Sequence, residues 1–225
     1  MGLGPASLLR AEGRYAVGRA RVPWGRLVLF VSLGGSLYGL VMGSLDGRWV
    51  GALYSAVKVP LLLCLSLSVC LPNFLVVNLL LGLGQDFPAA LRGILSAQGT
   101  LSVCLACLAP VTAVFYVSQP SYPFALFLNG CCFGLAVLCA QLTLANHYRP
   151  LIARQPRHRR ALAAWLALYV LVGIKLGHVL RPFVGDPRLP TTFLREEQWQ
   201  DDPYASLLWT AVGLLAGAVR RLSAS

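Results

Sequence analysis

The chain has 225 residues, of which 57% are hydrophobic and only 12% are charged, and its formal net charge is +11. A soluble domain of ordinary composition has about a quarter of its residues charged, so this composition excludes a typical water-soluble protein. The positive charge does not indicate nucleic-acid binding, because the basic residues flank apolar runs, as they do in membrane proteins. We therefore expect one compact integral membrane domain.

Residues 1–26 form a basic segment with five arginines in front of the first apolar run. That run is longer than the core of a signal peptide and leads into Ser44-Leu45-Asp46-Gly47 rather than a cleavage site, so we predict an uncleaved first span. Apolar segments follow at about 27–45, 52–82, 93–117, 122–144, 161–181 and 204–219. A spanning helix needs about 20 apolar residues, so the sequence predicts an all-α polytopic bundle of six spans over residues 27–219.

The distribution of charge predicts the orientation of this bundle. If the N-terminus is cytoplasmic, the pieces 1–26, 83–92, 145–160 and 220–225 hold 13 Lys and Arg, whereas the external pieces hold four. Cytoplasmic loops carry such an excess of Lys and Arg, so both termini are predicted to be cytoplasmic. Arginine outnumbers lysine 17 to 2, which is typical of a GC-rich bacterial genome, and we expect a bacterial inner-membrane protein.

The first apolar segment carries Gly35, Gly39 and Gly43 at intervals of four residues. Small residues at this spacing let two helices approach closely in lipid. A packing seam inside the bundle is the favoured interpretation, and a contact with a helix of another molecule is the alternative.

Five amide side chains lie within the predicted spans. Because an unpaired amide is costly in hydrocarbon, we expect them to face the bundle interior and to be hydrogen-bonded. Structural hydrogen bonding is the favoured role, and a polar lining for a substrate path is the alternative. These residues are Asn73, Asn78, Gln98, Asn129 and Gln141.

The loop between the fourth and fifth segments is rich in arginine, from Arg149 to Arg160. We expect it to fix the topology and to contact anionic lipid headgroups, because basic residues near an anionic surface gain about 1 kcal/mol each. It lacks the aromatic residues with which nucleic-acid-binding segments stack on bases.

The fifth segment contains Lys175, His178 and Arg181 at intervals of three residues, which places them on a slanting stripe along a helix. With Lys58 of the second segment they form a predicted cluster of cations in the outer half of the bilayer. The favoured interpretations are lysines that extend to the interface, or pairing with acids of the external loop. The alternative is a site for an anionic ligand or a lipid phosphate.

Residues 182–203 form the predicted external loop, whose prolines and aromatic residues indicate an ordered cap over the bundle. No acidic residue falls inside a predicted span, and no zinc-protease or potassium-filter motif is present. The seven cysteines lie within apolar runs and indicate neither a disulfide framework nor a metal site. We therefore expect no catalytic residue, metal or cofactor.

Two stretches, residues 58–82 and the sequence Leu180-Arg-Pro-Phe-Val-Gly-Asp-Pro187, resemble a group of uncharacterised bacterial multi-pass membrane proteins that is similar to the Yip1 family. Eukaryotic Yip1 relatives are multi-span proteins associated with vesicle trafficking and small GTPases. The cytoplasmic segment that precedes their bundle is not recognisable here, so the resemblance implies neither a GTPase partner nor catalytic residues. It favours a non-enzymatic protein of structural, assembly or lipid-organising type, with an anion transporter or channel as the alternative.

Overall fold

A computed structural model describes residues 24–45, 47–118 and 121–181, together with Phe183, Val184 and Phe193. Every regular element in this part of the chain is helical. The helices are α1 (Trp24–Met42), α2 (Trp49–Leu80), α3 (Phe87–Ser118), α4 (Tyr122–Arg154) and α5 (His158–Val179), and a short 3-10 helix, Gly84–Asp86, precedes α3. Residues 1–23, the sixth apolar segment and most of the predicted cap lie outside the described residues.

Four of these helices, α2 to α5, are long and apolar enough to cross a membrane, and the apolar part of α1, Leu27–Met42, is shorter. The described chain is thus that of an all-α, multi-helix protein whose helices indicate integration in a membrane. Large apolar side chains are exposed along the outward faces of the helices, for example Leu33, Val114 and Leu138. Lipid can solvate these faces, whereas in water so much exposed apolar surface would cause association.

The ends of two predicted segments need correction. Helix α3 begins at Phe87, earlier than the apolar run at 93, and α4 continues to Arg154, ten residues beyond the apolar run that ends at 144. The predicted loop over residues 145–160 is therefore mostly helix, with a tight turn at residues 155–157. The reason is that backbone hydrogen bonding continues past the point where side chains become polar, so hydropathy marks the edge of the apolar run and not the helix end.

Helix α3 lies at the centre of the bundle. It packs against α1 and α4 along its length, and α2 and α5 close the remaining sides. All ten consecutive residues from 93 to 102 are buried, which requires neighbours on every side of a helix. The bundle interior at this level is therefore filled by α3.

The glycine seam of α1 lies against α2 of the same chain. A Cβ atom on Gly35 would lie 3.2 Å from the Pro60 backbone, one on Gly43 would lie 2.6 Å from the carbonyl oxygen of Gly51, and one on Gly39 would collide with the Ser55 carbonyl. Gly34, one position away from the seam, faces α3, where its added Cβ would lie 2.5 Å from the Ser102 hydroxyl. The glycines of α1 thus allow two neighbouring helices to approach at once.

Candidate functional site

The described chain has polar groups at both ends of the bundle and in its middle. One end, here called the arginine-rich end, carries Arg154, Arg157, Arg159 and Arg160. Lys58 and Lys175 lie at the opposite end. The turns between α2 and α3 and between α4 and α5 meet at the arginine-rich end, as the contact between Asp86 and His158 shows.

Lys58 is completely buried in α2, one helical turn from Ser55. Its ammonium nitrogen lies 5.1 Å from the centre of the Phe193 ring and 5.9 Å from that of Phe183. The Ser55 hydroxyl donates a hydrogen bond to the Phe183 carbonyl oxygen, and the Phe193 ring packs edge-on against Tyr54 at 5.3 Å. The residues that follow α5 therefore cover the lysine with aromatic faces, which attract a cation.

The other predicted cations lie at the end of α5. Lys175 and His178 are half-buried, and Arg181 is exposed just after the helix ends. The acids of the predicted cap, with which these cations were expected to pair, lie outside the described residues.

In the middle of the bundle, Gln98 joins three helices. Its amide N–H donates to the carbonyl oxygen of Leu63 at 3.0 Å, and its side-chain oxygen accepts from the Tyr169 hydroxyl at 2.9 Å. The Ser102 hydroxyl lies within hydrogen-bond distance of the carbonyl oxygens of Phe30 and Val31. Both side chains therefore tie α3 to its neighbours through main-chain acceptors, which is a structural use of polar residues in a bundle.

Asn129 forms a second set of hydrogen bonds, nearer the end that carries Lys58. It accepts from the Tyr38 hydroxyl at 2.7 Å and donates to the Tyr116 hydroxyl at 2.6 Å and to the Ala125 carbonyl at 2.7 Å. Tyr116 in turn donates to the Met42 carbonyl at 3.2 Å. These bonds connect α1, α3 and α4, and no sequence pattern singled out the two tyrosines.

The remaining amides differ in their surroundings. Asn78 is buried and donates to the Phe74 carbonyl of its own helix, while Gln141 is half-buried and its side-chain oxygen has no hydrogen-bond partner. Asn73 is exposed and donates to the Val69 carbonyl at 2.8 Å, so the prediction that it faces the interior is wrong. The bond within its own helix satisfies one amide hydrogen without any interior partner.

At the arginine-rich end, the described residues include a close contact between a histidine and a carboxylate, which the sequence did not indicate. His158, at the start of α5, is completely buried, and its Nε2 lies 3.0 Å from a carboxylate oxygen of Asp86. The two residues are 72 positions apart and no local pattern links them. Around this pair, Arg154, Arg157, Arg159 and Arg160 are exposed, so this end of the bundle presents a dense positive surface.

Comparisons with known proteins do not extend these observations, since no family model, curated protein or solved structure matches the chain. Groups of three or more His, Cys, Asp or Glu that could hold a metal are absent from the described residues. The class of protein is therefore defined by the described bundle itself. Its regular elements are helices, several of which are able to cross a membrane, its interior is filled at the level of residues 93–102, and one end has a positive surface.

Proposed function

We propose that the chain is a six-span integral membrane protein of the bacterial inner membrane, with both termini cytoplasmic, and that its role is structural, assembling or lipid-organising rather than catalytic. The observation that supports this most is the enclosed segment 93–102 of α3. Two of its polar side chains, Gln98 and Ser102, form hydrogen bonds to main-chain carbonyl oxygens of neighbouring helices. A filled centre suits a scaffold, whereas a translocation path needs groups that face an opening.

The positive surface of the arginine-rich end supports a lipid-organising role in particular. Arg157, Arg159 and Arg160 are exposed at the α4–α5 turn, next to helices of membrane-spanning length. Each basic residue near an anionic bilayer surface gains about 1 kcal/mol. Several at one turn would gather anionic headgroups around the protein. In the proposed orientation this end faces the cytoplasm, where anionic lipid is in contact with it.

The experiment compares the lipids that surround the purified full chain in vesicles of mixed phosphatidylcholine and phosphatidylglycerol. The lipids that stay bound after mild detergent extraction are measured by mass spectrometry. We expect enrichment of phosphatidylglycerol around the wild-type chain and a several-fold fall for the triple variant Arg157→Gln, Arg159→Gln and Arg160→Gln. The charge-matched control carries Arg48→Gln, Lys175→Gln and Arg181→Gln at the opposite end and should keep the enrichment. An equal effect of the two variants would refute the lipid-organising role.

One observation favours the alternative, an anion transporter. Lys175 is only half-buried in the last turns of an apolar helix, at the end opposite the arginines. The same vesicles test this alternative when loaded with a chloride-sensitive dye. Chloride entry above that of protein-free vesicles, lost in Lys175→Gln, would establish transport in place of the scaffold role.

A further inference from the structure

Helix α4 carries its own pair of glycines four residues apart, Gly130 and Gly134, and both are exposed. A Cβ atom added to either glycine would meet no described atom within 4 Å, whereas the glycines of α1 lie against α2 and α3. Small residues at this interval let two membrane helices approach closely. Among the described helices none occupies this place on α4, so the surface is open to another helix.

Gln141 lies on the same side of α4, because it follows Gly134 by seven residues, close to two full turns. Its side-chain oxygen is enclosed without a hydrogen-bond partner. Its amide nitrogen has no partner among the described residues either, although this atom is not enclosed. The exposed neighbours on this side are apolar, such as Leu138, which is 56% exposed. An unpaired amide therefore stands on an otherwise apolar, outward-facing surface.

The contacts between α3 and α4 give the depth of Gln141 in the bundle. A Cβ atom on Gly93 would lie 3.2 Å from the Cβ of His147, and the two helices run in opposite directions. Going five residues along α3 from this contact leads to Gln98, and going six residues back along α4 leads to Gln141 at a similar level. Gln98 bonds Tyr169, which lies halfway along α5. The 22 residues of α5 span about 33 Å, close to the thickness of the hydrocarbon core, so Gln141 lies near the middle of the membrane.

The depth of this amide indicates what its partner must be. Lipid chains neither donate nor accept hydrogen bonds, so an unpaired amide at this depth is costly. A second copy of the chain, inserted in the same orientation, brings its own Gln141 to the same depth when the two α4 helices meet side by side. Half a turn of the amide exchanges its oxygen and nitrogen with almost no change of outline, so one copy can donate while the other accepts.

We propose that the protein forms a dimer through α4, in which Gly130 and Gly134 let the two helices meet and the two Gln141 side chains bond each other. The contact from Gly130 to Gln141 is about 16 Å long at the rise of an α-helix. It requires only that α4 crosses the membrane and does not depend on the scaffold role or on which end is cytoplasmic. Folding of a single chain does not depend on it, since both glycines face open space within the chain.

The test is energy transfer between full chains labelled with donor or acceptor at the amino terminus, in phosphatidylcholine vesicles over a range of protein-to-lipid ratios. We expect the wild-type chain to transfer more energy than random proximity allows. Gln141→Leu should raise the dissociation constant of the dimer about tenfold or more, because both copies lose an interhelical hydrogen bond. Asn73→Leu is the matched control, because that exposed amide bonds the Val69 carbonyl of its own helix, and it should leave the dissociation constant unchanged.

A second variant tests the glycines. Gly134→Leu fills the open space on α4 and should weaken association while the stability of the single chain is kept. Energy transfer of the wild-type chain at the random level would overturn the dimer. Association that survives both Gln141→Leu and Gly134→Leu would also overturn it, because the contact would then lie on another face.

The sixth apolar segment, residues 204–219, is the other candidate occupant of this face. Gly134→Cys and Gly213→Cys are combined in a chain whose native cysteines are replaced by alanine. Disulfide formation within one chain, together with random energy transfer, would show that this segment covers α4 in place of a second copy and would refute the proposal. A disulfide between two chains carrying Gly134→Cys alone would support it.

Discussion

Replacing Lys58 with methionine is the sharpest test of how the residues after α5 are held on the bundle. Methionine keeps the length of the side chain and its packing against Phe183 and Phe193 but removes the charge that the two rings attract. A desolvated cation–π contact contributes about 2 kcal/mol. Lys58 makes two such contacts, but the methionine variant also avoids the cost of burying an ammonium group. We therefore take the stabilisation of one contact as the net loss. About 2 kcal/mol corresponds to a roughly 30-fold shift toward release of this segment.

The assay is labelling of a cysteine at position 184 by a membrane-impermeant maleimide. Val184 is 2% exposed, so Val184→Cys should react slowly in the parent chain and about 30-fold faster when Lys58→Met is added, given a net loss of about 2 kcal/mol. The native cysteines lie in apolar helices, and the chain without Val184→Cys measures their background. Lys175→Met is the control, because the described contacts do not include a ring over Lys175. Equal labelling rates with and without Lys58→Met would refute the role of the buried ammonium.

Two further predictions concern packing and hydrogen bonding, both measured by denaturant titration in micelles. Gly39→Ala should destabilise the bundle by about 1–3 kcal/mol, because its Cβ would collide with the Ser55 carbonyl. The control is Gly130→Ala, which has open space around it and should be neutral or stabilising by up to about 1 kcal/mol. Equal effects of the two variants would contradict the close packing of α1 against α2 at Gly39. Asn129→Leu should cost about 1–3 kcal/mol by leaving the Tyr38 hydroxyl without its acceptor, and a neutral result would mean that this hydroxyl finds another partner.

The helices were predictable from sequence because their signal is local. Runs of apolar residues of membrane-spanning length identified α2 to α5, and the glycine spacing of α1 indicated a close helix contact. Helix ends were less predictable, since α4 runs on through Arg149 to Arg154 while its side chains become polar. Hydropathy reports the preference of side chains for lipid, and the end of a helix is set by backbone hydrogen bonding and by the next turn.

The polar contacts were only partly predictable, for a different reason. Asn73 and Asn78 stand five residues apart on α2, yet one is exposed and the other buried. Lipid-facing and interior-facing positions of α2 are similarly apolar, so sequence periodicity does not separate them. The Asp86–His158 pair and the tyrosine partners of Asn129 join residues from distant parts of the chain. Such pairings follow from which helices become neighbours, and that information is absent from any single segment.

The central position of α3 also has a consequence for how the protein is made. Translation delivers α1 and α2 to the membrane before α3, and α4 and α5 after it. The Ser102 hydroxyl bonds carbonyls of α1, and the Gln98 amide N–H bonds a carbonyl of α2, so both find their partners already inserted when α3 emerges. The side-chain oxygen of Gln98 accepts its hydrogen bond from Tyr169 of α5, which is inserted later. The polar contacts of α3 are therefore complete only after α5 has been inserted.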